Sequence, residues 1–372
     1  MSLFSRPRDT PPGPVARLWS DRTGRLATRS LQALIVIAIV AVVIFALTRV
    51  PLLVIPVLIA LIFASALSPL VDLLQRAHIP RVLGTVLVLL LALAVLGGVG
   101  WFIYVSVRDQ GGELIASAQD GIDQFVGWLT SLGVGIDQIQ FDDVRQRVVD
   151  FVTSARFGTG ALAGVSAVAD LLTGLAVMVV TLFFFLLDGR RIWAFLLRPF
   201  EGEGYARARR VGRAVTHSLG SYLRGTAIVA AADSLLIGVG LFAVGVPLVV
   251  PLIAIIFFTA FIPIVGALIA GLLAATLALV ANGPVAALII VAVVIAVNQI
   301  DGNVLQPLVQ GSSLKLHPLA ILLALTAGTV LGGLAGTLLA VPIVAAAWAA
   351  VVVWDGPDTP AWFARKKRPE PR

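Results

Sequence analysis

The sequence predicts an all-α, polytopic membrane protein with about eight transmembrane helices and with broken or re-entrant helices in its C-terminal half. Apolar residues make up 59% of the 372 residues and charged residues only 13%, and the mean hydropathy is +1.01. This composition lies far from that of globular proteins. Apolar runs of about 18 or more residues recur along the chain, and each is long enough to cross a bilayer as a helix. Segments of about ten residues with alternating polarity, which would indicate a transmembrane barrel, do not occur.

The N-terminal residues 1–30 are basic and proline-rich, and we expect them to form a disordered cytosolic tail. The apolar run that follows is longer than the core of a usual secretory signal, and no small-x-small cleavage site follows it before Arg49. We therefore predict that this run is retained as the first of three transmembrane helices within residues 31–107, at about 31–48, 51–71 and 82–106.

Charges in the loops predict the topology. Arg76 and Arg81 in the loop LLQRAHIPR, and eight arginines in residues 188–224, place these loops in the cytoplasm by the positive-inside rule. The basic tail 355–372 belongs on the same side, so both termini are predicted to be cytoplasmic, in a bacterial inner membrane. Anionic lipid headgroups are the expected partners of these basic segments, because the net charge of +7 flanks apolar runs rather than forming a nucleic-acid surface.

Residues 108–158 form the first sizeable polar segment and carry eight acidic residues against four arginines, a balance that suits the outer side of the membrane. Ile115, Ile122, Phe125 and Leu129 recur at helical spacing. We predict an outer amphipathic helical hairpin here, with a plain solvated linker as the alternative.

Residues 159–354 contain the remaining membrane helices, and two segments among them are too long for one crossing. Pro251 to Ala281 is 31 residues, or about 46 Å at the helical rise. The motif FIPIVG interrupts it, because Pro263 supplies no amide proton and Gly266 loosens the turn that follows. Residues 319–354 are also too long and contain paired glycines, so both segments are predicted to be either kinked spans or re-entrant hairpins.

Broken helices are a common way to build transport sites, because the ends of half-helices present unpaired backbone groups to a solute. The polar stretch 298–318 lies between two apolar tracts and is predicted to be re-entrant. The candidate substrate- or ion-binding residues are Asp233, Pro263, Gly266, Asn298, Gln299, Asp301, Asn303 and Gln306.

Two of these residues, Asp233 and Asp301, are acidic, and they differ in their surroundings. A carboxylate such as Asp233, near the middle of an apolar run, costs roughly 2.5 to 3.5 kcal/mol on insertion scales, which favours an inward-facing group that binds a proton or coupling ion. The alternative for Asp233 is an interhelical hydrogen bond. Asp301 is expected either to bind a cation, proton or solute, or to lie in a wet loop in which Gly302 ends the helix.

The sequence contains no motif typical of an enzyme active site. GxSxG, HExxH and phosphate-cradling motifs are missing, and His78, His217 and His317 are dispersed. The chain has no cysteine, so it has no disulfide framework and no cysteine-ligated metal. We expect no enzymatic activity, no cofactor and no metal site.

Several motifs together resemble the autoinducer-2 exporter family, formerly called PerM-like permeases. FFFLLDG, SYLRG, FIPIVG, NQIDGNVLQPLVQGSSLKLHPL and LAGTLLAVP follow one another in the order and spacing of that family, between about residues 31 and 354. The resemblance implies a bacterial inner-membrane transporter of about eight helices. Activities proposed in such families include export of small signalling molecules and sodium/proton antiport.

Three functions remain open from the sequence. The first is a secondary transporter or exporter of a small polar solute, coupled to a cation through Asp233. The second is a sodium(cation)/proton antiporter in which the acidic residues themselves form the site. The third is a membrane scaffold without transport activity. Gly328, Gly332 and Gly336 recur every four residues and suit close helix packing or a contact between protomers, and we expect a homo-oligomer.

Overall fold

The computed structural model describes residues 51–102, 160–262, 265–305 and 317–354, with single positions in 30–50, at 104–105 and at 356. Within these ranges the chain is helical and contains no strand, which confirms the predicted all-α class. The outer hairpin predicted at 108–158 lies outside the described residues, as do the two predicted tails apart from single positions.

The helices, numbered in chain order, are α1 (Pro51–Arg76), α2 (Arg81–Phe102), α3 (Gly160–Leu196), α4 (Gly202–Val244), α5 (Val249–Thr259), α6 (Val265–Ile300) and α7 (Pro318–Val352). A π-helix, Asp301–Leu305, continues α6. Of the helices described, six are long and apolar enough to cross a membrane, whereas α5 has only 11 residues. Residues 1–54 and 55–372 form two compact units, and the contacts that follow belong to the second.

Helices α1, α2 and α3 pack around a small apolar core. Ala60, Ala64 and Val71 recur along one face of α1 and are buried against Val88 of α2 and Leu186 of α3. Alanine at this spacing allows helices to approach closely. Most other apolar side chains of α2 remain exposed, as expected for a helix whose outer surface faces lipid.

Helix α1 contacts α4 at a place where one backbone carbonyl of α1 has no hydrogen-bond donor from its own helix. Pro69 has no N–H, so the carbonyl of Ser65 lacks its helical donor. Two side chains donate there instead: the Ser68 hydroxyl donates to Ser65 O at 3.2 Å, and Arg224 Nη1 of α4 donates to Ser65 O at 3.4 Å and to Ala66 O at 3.2 Å. Gly220, one turn earlier on α4, lies so close to the Ser65 carbonyl that a methyl group there would overlap it. A proline in α1 is thus matched by a glycine and an arginine in α4.

Helix α4 is the centre of the C-terminal half, and it packs against α5, α6 and α7. Its 43 residues would extend about 65 Å, which is more than twice the hydrocarbon thickness. The basic amphipathic helix and the fifth span, which the sequence places in succession, form this one continuous helix. It ends at Gly245, whose positive φ of 79° lets its N–H reach Phe242 O at 3.0 Å.

The break predicted at FIPIVG is present, because α5 ends at Thr259 and α6 begins at Val265. A second break lies within α6 at Gly283, where φ is 80° and ψ is −175°. The chain reverses there: a Cβ on Gly271 would lie 3.2 Å from Val294 Cγ1, although these residues are 23 positions apart. Helix α6 is therefore an antiparallel hairpin with halves of about 17 residues.

Helix α7 reverses in the same way at Gly333, where φ is 56° and ψ is −137°. Thr329 Oγ1 and Thr337 Oγ1 are 2.8 Å apart, whereas residues eight positions apart in a continuous helix would be separated by about 12 Å. Gly328 and Gly336 pack backbone to backbone across the hairpin. The sequence left open whether residues 319–354 form a kinked span or a hairpin, and the structure shows a hairpin.

Candidate functional site

The register of α4 against its neighbours determines which polar residues can meet. Asn282 Nδ2, at the tip of the α6 hairpin, donates to Val244 O at the end of α4, at 3.1 Å. Farther from the tip, a Cβ on Gly240 of α4 would lie 2.8 Å from Val293 Cγ1 in the second half of α6. These two contacts show that α4 and the second half of α6 run antiparallel. Asp233, seven residues before Gly240, is consequently level with the end of α6.

Asp233 and Asp301 are the two acidic residues that this register brings together, and their carboxyl groups interact electrostatically. Asp233 is half-buried in the apolar part of α4, and its Oδ1 is buried without a hydrogen-bond donor among the described residues. Asp301 is the first residue of the π-helix. Two carboxylates in a partly buried region repel each other, and a bound proton or cation relieves that repulsion.

Three helix ends lie at the level of this carboxyl pair. Gly238 of α4 contacts Ile253 of α5, and the short link between these helices makes them antiparallel, so Thr259 at the end of α5 is level with Asp233. The α6 hairpin places its own start beside its end. The end of α5, the start of α6 and the π-helix therefore lie at one level of the bundle, where the partial charges of three helix ends are concentrated.

Gly266 is placed at this same end of the hairpin, where it packs against the carbonyl of Thr259 and where its N–H donates to Ile262 O at 2.8 Å. Any side chain at Gly266 would overlap the Thr259 carbonyl, so the glycine allows the tight return between α5 and α6. Its role in the geometry is to bring the two helix ends together. Pro263, predicted to act with it, lies outside the described residues.

The predicted amide residues divide into two groups. Asn303 Nδ2 donates to Gln299 O at 2.8 Å and to Gln299 Oε1 at 3.3 Å, so these two side chains bridge the change from α-helix to π-helix. Asn298 is exposed on the last turn of α6. Gln306 lies outside the described residues. The structure thus joins Asp233 with Asp301 and Gln299 with Asn303, and it shows no contact of Asn298 with either pair in the described part of the chain.

Thr259 is a polar residue near the site that the sequence analysis did not single out. Its hydroxyl donates to Ile256 O at 3.0 Å, and its carbonyl accepts from Ile262 N at 2.9 Å and packs against Gly266. The available signal was its position directly before the helix-breaking motif. No group of three or more His, Cys, Asp or Glu residues that could hold a metal ion is found among the described residues.

Comparison with known proteins gives the same family along most of the chain. The sequence model described as "AI-2E family transporter" matches residues 33–356. "Putative transport protein MT0215" of Mycobacterium tuberculosis (strain CDC 1551 / Oshkosh) is 38% identical over 323 residues, which cover 86% of this chain and 88% of that protein. Two proteins of Bacillus subtilis (strain 168) with the same description, YrrI and YueF, are each 27% identical, over 78% of this chain and over 83% and 81% of their own lengths.

Proposed function

The chain belongs to the AI-2E transporter family, and from that premise we propose that it is a secondary transporter that exports a small polar solute across the bacterial inner membrane. Its multiple apolar helices make it a multi-pass membrane protein, and its family and relatives make it a transporter. The solute, the direction of transport and the coupling ion belong to the proposal.

The observation that carries the proposal is the register that brings Asp233 of α4 level with Asp301 at the start of the π-helix. When the pair is empty, repulsion between the carboxylates separates the π-helix from α4. When a proton or a monovalent cation binds, the repulsion falls and the two elements approach. Binding of the coupling ion therefore changes the position of the polar stretch 298–318, which is how an ion gradient would act on a solute bound there.

The solute itself is proposed to bind beside this pair. Asn298, Gln299 and Asn303 offer amide donors and acceptors, and Gly266 holds two helix ends close to them. Pro263 and Gln306 are proposed members of the same site. Amides and helix ends without a fixed positive side chain suit a neutral, hydroxyl-rich molecule, and the family description makes autoinducer-2 the first solute to test.

The topology proposed from the loop charges places both termini and the basic part of α4 in the cytoplasm. Arg224, the residue that donates to the carbonyl groups of α1, then lies at the cytoplasmic end of the apolar part of α4. It precedes Asp233 by about 13 Å along the helix axis. The carboxyl pair is accordingly proposed to lie within the membrane, where a transported ion must pass.

A second candidate function is a sodium/proton antiporter, and the same pair favours it. Two adjacent carboxyl groups suffice to exchange a proton for a sodium ion, with no solute required. The two functions differ in what crosses the membrane in exchange for the proton, a solute in the first and a sodium ion in the second.

Reconstitution into proteoliposomes tests both. We expect labelled autoinducer-2 to move when a proton gradient is imposed, and we expect no such movement with Asp301→Asn. Sodium-driven proton movement without a solute would instead establish the antiporter. Neither flux in a folded, inserted protein would overturn both proposals and leave a scaffold as the function.

A further inference from the structure

A cavity of about 230 Å³, which none of the residues of the carboxyl pair lines, lies between the start of α2 and the C-terminal third of α3. Its lining contains three arginines and one acid, together with two apolar side chains: Arg81, Val82, Leu187, Asp188, Arg190 and Arg191. Three guanidinium groups around one opening give a net positive site. The carboxyl pair and the proposed transport mechanism make no use of it.

The backbone explains why the cavity exists. Helix α3 is kinked at Asp188, where φ is −124° and ψ is 15°, and the kink exposes a carbonyl of the preceding turn. Arg81, the first residue of α2, donates from Nη2 to Leu186 O at 3.0 Å and so fixes the start of α2 beside the kink. The first N–H groups of α2 have no helical acceptor, and they add partial positive charge to this side of the cavity.

The arginines retain donors for a ligand. Arg191 donates to Asp188 Oδ1 at 3.1 Å, and Arg190 approaches Asp72 Oδ2 only to 3.9 Å. Their side chains are 87% and 82% exposed, so these ion pairs contribute little and leave the guanidinium groups free to turn. Arg81 Nε is buried and has no acceptor within the described parts of the chain. A phosphate oxygen would satisfy such a donor, since arginine binds phosphate through paired N–H groups.

The surface next to the cavity is apolar and indicates what carries the phosphate. After Val82, the side chains of Leu83, Leu87 and Leu90 lie four and three residues apart, so they share one face of α2, and all three are exposed. In a membrane this face contacts acyl chains. An anionic headgroup in the cavity would therefore have its own acyl chains beside these leucines.

We propose that the cavity formed by Arg81, Arg190 and Arg191 binds the phosphate headgroup of an anionic phospholipid. The acyl chains of this lipid contact the exposed leucine face of α2. The site ties α2 to the kink of α3 through the lipid as well as through Arg81. A lipid that binds the folded bundle and not the unfolded chain stabilises the bundle, by an amount that rises with the logarithm of the lipid concentration once that concentration exceeds the Kd.

The test compares full-length protein in nanodiscs of phosphatidylcholine with and without phosphatidylglycerol. We expect phosphatidylglycerol to raise the melting temperature of the wild type and to remain bound in native mass spectrometry. In R190Q/R191Q, whose altered side chains are exposed and should not disturb folding, affinity should fall at least about tenfold, because charge-assisted hydrogen bonds are lost. Arg209→Gln, an exposed change of charge on α4, is the matched control and should behave as the wild type.

A second variant and a second probe keep the outcomes distinct. Arg81→Lys keeps the charge but loses the forked geometry, and it should weaken lipid binding while leaving the protein folded. Inorganic phosphate alone, at millimolar concentration, should give little stabilisation. Equal stabilisation by inorganic phosphate would overturn the assignment to a lipid, and equal lipid binding by the wild type, R190Q/R191Q and Arg81→Lys would overturn the site itself.

Discussion

The carboxyl group of Asp233, in the apolar part of α4, interacts electrostatically with that of Asp301, the first residue of the π-helix that follows α6. The two residues meet because α6 reverses at Gly283 and returns antiparallel to α4. Their pairing is the most specific feature that the fold adds to the sequence.

Replacing either acid with its amide should stop transport without unfolding the protein. In Asp233→Asn or Asp301→Asn the repulsion between two carboxylates is lost, so the ion no longer controls the distance between the π-helix and α4. We expect the flux in proteoliposomes to fall at least about tenfold, which corresponds to about 1.4 kcal/mol, and its dependence on pH to flatten. The melting temperature should stay equal to or above that of the wild type.

Asp170→Asn is the matched control, since Asp170 is an exposed acid on α3. It should leave both the flux and the pH profile unchanged. Wild-type flux in Asp301→Asn would reduce that residue to a solvent-exposed helix end and would remove the pair from the mechanism.

The hairpin in α7 can be tested with a disulfide. The chain has no cysteine, so a pair introduced at Thr329 and Thr337 has no competing partner. Their hydroxyl oxygens are 2.8 Å apart, and sulfur atoms at these positions should bond after mild oxidation. Maleimide-PEG labelling of the denatured protein should find no free thiol until a reductant is added.

The control pair is Thr326→Cys with Thr337→Cys, which keeps one cysteine and moves the other about one turn along the same half of the hairpin. It should remain reduced under the same oxidation. Rapid labelling of both thiols in the 329/337 pair would mean that α7 is a continuous helix.

The sequence predicted much of the fold, because length and hydrophobicity determine which segments can cross a membrane. It also located the break at FIPIVG, since the loss of an N–H at Pro263 is a local effect. It left open whether the long segments kink or reverse. That choice depends on positive φ at Gly283 and Gly333 and on how the halves pack, and glycine alone does not specify a conformation.

The candidate site was predictable only in part for the same reason. Asp233 and Asp301 each stood out as a charged residue near an apolar tract, but their proximity depends on the register between α4 and α6. That register is determined by contacts such as Gly240 with Val293. One sequence displays no pattern for such contacts, so the sequence analysis argued for each acid separately and left open whether the two form one site.

Close packing within the α7 hairpin predicts that alanine substitution lowers stability at one glycine and leaves it unchanged at another glycine nearby. A Cβ at Gly336 would overlap the carbonyl of Gly328, whereas a Cβ at Gly332 has no other heavy atom within 4 Å. We expect Gly336→Ala to destabilise the protein by about 1 to 3 kcal/mol, as overpacked cores do, and Gly332→Ala to be neutral. Thermal unfolding in detergent measures both, and equal melting temperatures would show that the halves do not touch at Gly336.

The contact between Arg224 and α1 gives a prediction in which one substitution should compensate for another. Arg224→Gln removes a charge-assisted donor from the carbonyl groups of Ser65 and Ala66, and we expect a loss of about 1.5 to 3 kcal/mol. In a Pro69→Ala background the alanine N–H can donate to Ser65 O within the helix, so the same arginine substitution should cost less. A double-mutant cycle measured by thermal unfolding gives the coupling energy directly. If the two substitutions were strictly additive, the effect of Arg224 would not depend on Pro69. Arg224 would then stabilise the protein through some contact other than its hydrogen bond to Ser65 O.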